Sequence, residues 1–207
     1  DETPGGLKLT DLCEERCAFC SSPADRLLAE GAHAPLESVY RRLERWSAEG
    51  LRTLELLGRE PTLYPHLIEV VARARALGFR VIRLNSNGLS LADADRARSL
   101  AAAGLTDLCL SLHASDARRS DAITGRAGGF SRKLQAVRNA LGARIKTAVN
   151  FVVTRENAAE MAPFVRFINE AFEGPRPEIV FSFVAPVGDA ERDPALLPSL
   201  AALREHL

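Results

Sequence analysis

The segment Leu7-Lys-Leu-Thr-Asp-Leu-Cys-Glu-Glu-Arg-Cys-Ala-Phe-Cys20 begins as a short apolar strand and continues directly into three cysteines. Cys13, Cys17 and Cys20 fall within eight residues, in the spacing CxxxCxxC. Three thiols this close together favour a bound metal. A loop of this length can supply three thiolates to a four-iron, four-sulfur (4Fe-4S) cluster, which leaves the fourth iron without a ligand from the same segment.

Two other interpretations of the cysteines remain open at this point. Together with His33, the three cysteines make a Cys3His set for a structural zinc ion. Zinc usually binds paired CxxC turns, whereas here a gap of three residues precedes the gap of two. Three reduced thiols without a metal are the remaining alternative.

Composition limits the class of protein. The chain has 207 residues and is 46% hydrophobic, which is enough for a full core, and we predict one domain over residues 1–207. Basic and acidic residues balance at 27 each, and no block of lysine and arginine is longer than a pair. Such a pattern gives no electrostatic support for a nucleic-acid partner.

The sequence also predicts a cytoplasmic location. No apolar run approaches the roughly 20 residues that cross a bilayer, and no hydrophobic signal segment precedes the cysteines. Three of the four cysteines are too close together for the disulfide framework of a secreted protein. We therefore expect no membrane contact, while an extension beyond Leu207 stays open.

Apolar segments of strand length alternate with amphipathic helical segments along the whole chain, as in consecutive βα units around a parallel sheet. The predicted strands are Leu7–Thr10, Leu51–Leu57, Phe79–Leu84, Leu108–Leu112, Ile145–Val153 and Ile179–Val184. A long polar loop is predicted from the fourth strand to Gly128. The predicted helices are Pro35–Gly50, Leu67–Leu77, Leu91–Ala103, Phe130–Leu141, Asn157–Phe172 and Pro194–Leu207.

Six such units with right-handed crossovers predict an α/β fold, a partial (βα)6 barrel that is a three-quarter TIM barrel with parallel strands. A flat, doubly wound sheet fits the same pattern. In either fold the residues that follow the strands meet at one edge. The segments expected there are the cysteines, Gly58–Thr62, Asn85–Gly88, Ser111–Ala114 and Pro186–Gly188.

These segments, in this order, resemble those of the radical S-adenosylmethionine (radical SAM) enzymes over nearly the whole chain. The cysteine segment is similar to that family's cluster loop, including the aromatic Phe19 before the last cysteine. Gly58-Arg59-Glu60-Pro61 resembles its Gly-Gly-Glu-Pro motif with one substitution. Further similarity lies in Asn85–Gly88, Ser111–Ala114, Asp121–Phe130 and Phe181–Ala190. A zinc site would explain only the first of these matches.

The resemblance implies a cofactor and a reaction. Cys13, Cys17 and Cys20 would bind a 4Fe-4S cluster whose open iron S-adenosylmethionine chelates. An electron from a donor such as flavodoxin or ferredoxin would then split S-adenosylmethionine into methionine and a 5′-deoxyadenosyl radical, which abstracts hydrogen from the substrate. The substrate stays open between a peptide, a small molecule and a cofactor precursor.

The resemblance also implies which residues bind the cofactor. Glu60 would accept the ammonium group of S-adenosylmethionine. Ser86 and Ser111 would bond its ribose or carboxylate, and Arg126 would clamp the carboxylate. The implied cofactor-binding residues are Phe19, Gly58, Arg59, Glu60, Ser86, Ser111, Arg126, Asn150 and Gly188, where Arg59 would turn its side chain away and Gly188 would lie near the adenine.

Two further residues have competing interpretations. His113 follows the fourth strand and is a candidate catalytic residue that faces the substrate, or else a hydrogen-bonded structural histidine. Cys109 lies in mid-strand, where we expect a buried, inert side chain. Besides the enzyme, a non-catalytic metal-binding module and a partner of a larger maturase remain possible, and affinity for S-adenosylmethionine would separate them.

Overall fold

A computed structural model describes residues 5–21 and 33–198 of the chain. Its strands form one parallel sheet in the order β1 to β6, and they are Gly6–Lys8 (β1), Thr53–Leu57 (β2), Val81–Ser86 (β3), Asp107–Ser111 (β4), Lys146–Val153 (β5) and Glu178–Phe183 (β6). A doubly wound sheet reverses its strand order at a switch point. The sequential, unclosed order therefore confirms the partial barrel.

The strands alternate with helices along the chain. The helices are Leu36–Ala48 (α1), Leu67–Ala76 (α2), Ala94–Ala103 (α3), Ala117–Thr124 (α4), Gly129–Gly142 (α5), Met161–Ala171 (α6) and Asp189–Arg192 (α7). Short 3-10 turns lie at Pro61–Leu63, Leu89–Ala92, Ala158–Glu160 and Pro194–Leu196. In the described part of the chain, no helix is long and apolar enough to cross a bilayer.

Each strand presents alternate residues to opposite faces of the sheet. One face is fully buried against the helices and contributes to the core the residues Leu54, Leu56, Ile82, Leu84, Leu110, Val149 and Phe151. The residues between them are partly exposed on the other face, and they include Glu55, Arg83, Asn85, Cys109 and Asn150. Polar side chains therefore line the inside of the open barrel.

The polar loop predicted after the fourth strand is wrong in part, because it contains α4. The Asp116 side chain caps this helix by accepting a hydrogen bond from Arg119 N at 3.0 Å. Its buried residues are Ser120 and Thr124. Since hydroxyl side chains form its inner face, no apolar stripe marks α4 in the sequence.

Two predicted helices also differ from the structure. The segment Leu91–Ala103 is divided between a 3-10 turn and α3, because the Asp93 side chain accepts from Asp95 N at 2.9 Å and starts a new helix. Of the helix predicted from Pro194, the first three residues form a 3-10 turn. Residues 199–207 of that prediction lie outside the described residues, and α7 was not predicted.

Candidate active site

The cysteine segment is held at the carboxyl edge of the sheet by main-chain hydrogen bonds. Arg59 N donates to Thr10 O at 3.1 Å, and Glu60 N donates to Leu12 O at 2.9 Å. Gly58 makes this approach possible, because a Cβ there would lie 2.7 Å from Thr10 O. The segment that follows β2 therefore supports the start of the cysteine loop.

The unpredicted helix α4 supports the other side of the same loop. Arg16 N donates to Thr124 O at 2.8 Å, and Ala18 N donates to Ile123 O at 3.1 Å. These bonds use carbonyl groups from the last turn of the helix, where intrahelical partners run out. The residues between the first two cysteines and after Cys17 are thus fixed by α4.

All three cysteines of the motif line one cavity of about 210 Å³. The structure brings to the same cavity five of the residues predicted to bind the cofactor, namely Gly58, Arg59, Ser86, Ser111 and Asn150. The cavity is also lined by Glu15, Asn85 and Asn87, which are not among the predicted cofactor-binding residues. A single site at the carboxyl edge therefore contains the thiols and a set of hydrogen-bonding groups.

A second cavity of about 290 Å³ adjoins the first and shares Cys17, Cys20 and Ser111 with it. Phe19 and His113 also line it. Apolar residues at the end of β6 and just after it also line this cavity, among them Phe183 and Val187, which are 52% and 47% exposed. Cys17 and Cys20 therefore lie between a polar cavity and a more apolar one.

The environment of the thiols fits a cationic metal group. Burial, helped by the carboxylates of Glu60, Glu14 and Glu15, raises the pKa of the Cys13 thiol to about 11, although the hydrogen bond from Glu15 N opposes the rise. Burial, followed by the Glu15 carboxylate, raises the pKa of Cys17 to about 12. Thiolates in these positions need a compensating cation, and three soft sulfur ligands on one cavity wall suit the irons of a 4Fe-4S cluster.

His33, the fourth ligand of the zinc alternative, has other contacts. Its main chain forms an antiparallel bridge with Thr10, and its ring packs edge-on against Tyr64 with centroids 5.7 Å apart. Within residues 5–21 and 33–198, no three His, Cys, Asp or Glu side chains form a group that could hold a single metal ion.

Glu60 is fully buried and cross-links the segments that follow β2 and β3. Its Oε1 accepts from Thr62 N at 2.9 Å, Thr62 Oγ1 at 2.6 Å and Ser86 Oγ at 2.8 Å, and its Oε2 accepts from Asn87 N at 2.6 Å. Burial raises the pKa of this carboxyl, and the four hydrogen bonds oppose the rise. The contact between Glu60 and an ammonium group stays a prediction.

Asn87 is a site residue that the sequence reasoning missed. Its Oδ1 accepts from Leu89 N at 2.9 Å, and its Nδ2 lies 3.9 Å from Cys13 Sγ. Asn87 lies inside the segment Asn85–Gly88 that was predicted at this edge of the sheet, so the signal was present. The adjacent Gly88 has φ +81°, and a Cβ there would lie 2.3 Å from Leu110 Cδ1. Only glycine fits this turn, which fixes Asn87 beside Cys13.

His113 is buried and held by the main chain of β5. Its Nδ1 accepts a hydrogen bond from Val152 N at 3.1 Å, which places the ring proton of the neutral form on Nε2. Burial, together with the charge of Lys133, lowers the pKa of His113 to about 3. The hydrogen bond supports a structural role, and the catalytic role stays a prediction.

Exchanging His113 for asparagine should reduce the loss in free energy of unfolding that occurs as the pH falls. Since the folded pKa lies below that of the unfolded chain, stability is complete above about pH 6.5 and falls as the pH decreases toward 3. Between pH 7.5 and 5, wild type should lose about 2 kcal/mol more than His113→Asn, in which an amide oxygen still accepts from Val152 N.

Urea unfolding of the metal-free protein at the two pH values measures this difference. The control is His66→Asn, since His66 is an exposed histidine beside Glu69. Parallel curves for wild type and His113→Asn would show that His113 titrates in the folded protein as it does in the unfolded chain.

The structure corrects the prediction for Cys109, and it shows where Arg59 and Arg126 lie, while their binding roles stay predictions. Cys109 is partly exposed and lines the cavity with the motif cysteines, because it is one of the alternate residues that face the open inside of the barrel. Arg59 Nε is buried and has no hydrogen-bond partner in the described residues. Arg126 lies in the turn between α4 and α5 and is not among the described residues that line either cavity.

Gly188 contacts the cysteine loop directly. It has φ +65°, and a Cβ there would lie 2.3 Å from Cys20 O and 2.8 Å from Ser21 Cα. The segment after β6 therefore packs on the main chain of the third cysteine. Proximity of Gly188 to an adenine stays a prediction.

Glu15 and Lys133 form a buried ion pair that the sequence reasoning also missed. Their side chains are 1% and 0% exposed, and Lys133 Nζ lies 2.9 Å from Glu15 Oε1. The available signal was the position of Lys133, which lies on the same face of α5 as Phe130 and Val137. A lysine on an apolar helix face calls for a buried partner.

The family comparison agrees with the residues that line these cavities. The family model of the Radical SAM superfamily matches residues 7–168. The chain belongs to the radical SAM superfamily. The matched range includes the cysteine segment and the strand ends from β1 to β5.

Curated relatives of the chain include GTP 3′,8-cyclases. The GTP 3′,8-cyclase of Synechococcus elongatus is 36% identical over 168 residues, which cover 79% of this chain and 50% of the relative. That of Pseudomonas putida is 33% identical over 167 residues, covering 79% and 49%. The chain thus spans about half the length of these relatives.

Solved structures confirm the fold. Streptococcus suis SuiB bound to S-adenosylmethionine matches with a TM-score of 0.75 at 19% identity, over 97% of this chain and 44% of that chain. anSMEcpe with bound AdoMet and a Kp18Cys peptide matches with a TM-score of 0.71 at 16% identity, over 87% and 50%.

The comparisons confirm several predictions made from the sequence. The chain is an enzyme of the radical SAM class with a partial TIM-barrel fold. This superfamily uses a 4Fe-4S cluster and S-adenosylmethionine. The roles of individual residues stay predictions.

Proposed function

We propose that Cys13, Cys17 and Cys20 bind one 4Fe-4S cluster and that the chain uses it to cleave S-adenosylmethionine reductively. The observation that carries this proposal is the shared cavity, in which all three thiols lie beside five residues predicted to bind the cofactor. The alternative of a structural zinc site would need no such polar wall next to the thiols. Residues 1–207 would act as one domain, which the large hydrophobic core that draws on residues from Leu7 to Phe172 supports.

In this proposal the chain's own residues bind and orient the cofactor and exclude water from it. When bound, the cluster supplies the electron that splits S-adenosylmethionine and so yields the 5′-deoxyadenosyl radical that abstracts hydrogen from the substrate. Asn150 lines the polar cavity, and its Oδ1 accepts from Ser182 Oγ at 2.8 Å, which fixes the orientation of its side-chain amide. Phe19 packs edge-on against His113, with centroids 4.9 Å apart, and both residues line the second cavity.

The relatives suggest which substrate to test first. The chain is 36% identical to the GTP 3′,8-cyclase of Synechococcus elongatus. It is 19% identical to SuiB, which another solved structure shows bound to the precursor peptide SuiA. We therefore propose a small molecule of the nucleotide class, with GTP as the probe. A flavodoxin or ferredoxin would supply the electron, and the free thiols support a reducing, cytoplasmic setting.

The experiment that tests the proposal uses protein purified and reconstituted without oxygen. We expect about four irons per chain and broad absorption at about 400 nm. After chemical reduction, the protein should produce 5′-deoxyadenosine from S-adenosylmethionine. Cleavage should occur slowly even without substrate, because this chain contains both the thiols that would bind the cluster and the polar cavity next to them.

Four outcomes are informative. Faster cleavage on addition of GTP would support the nucleotide substrate, and an unchanged rate would contradict it while leaving the cluster proposal intact. Colourless protein with stoichiometric zinc, or iron-loaded protein that leaves S-adenosylmethionine intact, would overturn the proposed function.

A further inference from the structure

A buried ion pair connects three elements of the candidate site. Lys133 Nζ lies 2.9 Å from Glu15 Oε1 and 3.1 Å from Glu15 Oε2, and it donates to Ser111 O at 3.1 Å. Glu15 lies between the first two cysteines, Ser111 ends β4, and Lys133 belongs to α5. The three ammonium contacts therefore join the cysteine loop to the strand end and to the helix behind it.

Stability alone does not account for this pair. Removing two charges from water is costly, and replacing a buried ion pair by packed apolar side chains is often neutral or stabilising. Phe130, Ala136 and Val137 form an apolar face around Lys133 on α5, so an apolar residue would suit its position. The charges themselves are the property that needs an explanation.

The pair lies directly behind two of the three cysteines. Glu15 N lies 3.4 Å from Cys13 Sγ, and Cys17 Sγ lies 3.8 Å from Glu15 Oε2. A thiolate at Cys17 would face the Glu15 carboxylate at this separation. The Lys133 ammonium, which is fully buried and contacts both oxygens of this carboxylate, offsets both negative charges.

We propose that Lys133 is a positioning residue that sets the reduction potential of the cluster. It orients Glu15 and thereby the loop between Cys13 and Cys17, and its charge balances the carboxylate closest to Cys17. Charges and hydrogen bonds just outside the ligands are an established control of cluster potential. The inference rests on the proposed function, since it needs a cluster on these cysteines.

Removing one partner at a time should shift the potential in opposite directions. Lys133→Met leaves the carboxylate unopposed beside Cys17, so the reduced cluster becomes less stable and the midpoint potential shifts negative. Glu15→Gln leaves the ammonium in excess, so the potential shifts positive. The double variant Glu15→Gln/Lys133→Met should return close to the wild-type value. A redox titration followed by electron paramagnetic resonance measures all four proteins.

The matched control is an exposed ion pair on the same sheet. Lys146 and Glu178 lie 3.1 Å apart at the amino ends of β5 and β6, with side chains 64% and 62% exposed. Lys146→Met and Glu178→Gln make the same chemical changes far from the cysteines, and both should keep the wild-type potential.

A second measurement keeps the test independent of the cluster. In metal-free protein, each single variant at Glu15 or Lys133 should lower the urea midpoint, and the double variant should recover most of the loss, because it removes both buried charges together. A double variant as unstable as the two singles combined would show that the residues do not act as a pair.

The two proposals fail in different ways. Wild-type protein that binds no iron would contradict the proposed function, whereas the metal-free unfolding would still test the pair. Wild-type protein with a cluster, combined with shifts of the same sign in Lys133→Met and Glu15→Gln, would overturn the control of potential by Lys133.

Discussion

Changing Cys17 to alanine should remove the cluster and abolish reductive cleavage of S-adenosylmethionine. Cys17 lines both cavities, as Cys20 does, and it also lies against the buried Glu15–Lys133 pair. With two thiolates left, the loop cannot supply the three ligands that a 4Fe-4S cluster with one open iron requires. Iron should fall from about four per chain to well below one after reconstitution, and 5′-deoxyadenosine should be undetectable.

Cys109 provides the comparison, because it is a fourth cysteine on the wall of the same cavity. Cys109→Ala should retain about four irons per chain, since three neighbouring cysteines already supply the complete ligand set. Iron retained in Cys17→Ala, or lost in Cys109→Ala alone, would show that the ligands are wrongly assigned. Both variants should keep the wild-type far-ultraviolet circular dichroism, which separates loss of iron from loss of fold.

The fold could be predicted largely because its strands alternate buried apolar residues with partly exposed ones. Leu54 and Leu56, or Leu108 and Leu110, mark strands whose side chains pack under the helices. The partial barrel and the doubly wound sheet share this pattern, since pairing order is not encoded in the period of apolar residues. The sequential pairing of the strands in the structure distinguishes the two.

Helix α4 shows the limit of the same reasoning. Its inner face consists of Ser120 and Thr124, whose side chains are small and polar, and Thr124 Oγ1 donates to Ser120 O at 2.9 Å. Apolar periodicity therefore misses it, although the Asp116 cap was readable. Missing this helix also meant missing a support of the candidate site, because the last turn of α4 fixes the cysteine loop.

At the site, the motifs predicted which residues lie there, but not the burial or the ion pairing of their side chains. The thiols, Ser111 and Asn150 lie on one cavity as expected. Cys109 lies in mid-strand as predicted, but its predicted burial was wrong, because burial of a strand residue depends on whether the barrel interior is filled. The Glu15–Lys133 pair joins residues far apart in sequence, and no local spacing rule links such a pair.

Changing Glu60 to alanine should destabilise the fold by about 3 to 5 kcal/mol in the metal-free protein. The change leaves four buried donors without an acceptor, two of them main-chain N–H groups of Thr62 and Asn87 that cannot turn toward another partner. Each unsatisfied buried donor costs about 1 to 3 kcal/mol. Urea unfolding followed by circular dichroism measures the loss, with Glu44→Ala, an exposed glutamate paired with Arg73, as control.

Changing Glu60 to glutamine isolates the electronic part of this effect, because the side chain keeps its size. Each carboxylate oxygen accepts one main-chain N–H, Oε1 from Thr62 and Oε2 from Asn87. An amide has a single acceptor oxygen, so its NH₂ group must face one of these donors in either orientation. We expect a loss of about 1 to 3 kcal/mol, smaller than that of Glu60→Ala. If Glu60→Gln were as stable as wild type, the carboxylate would not be the link between the ends of β2 and β3.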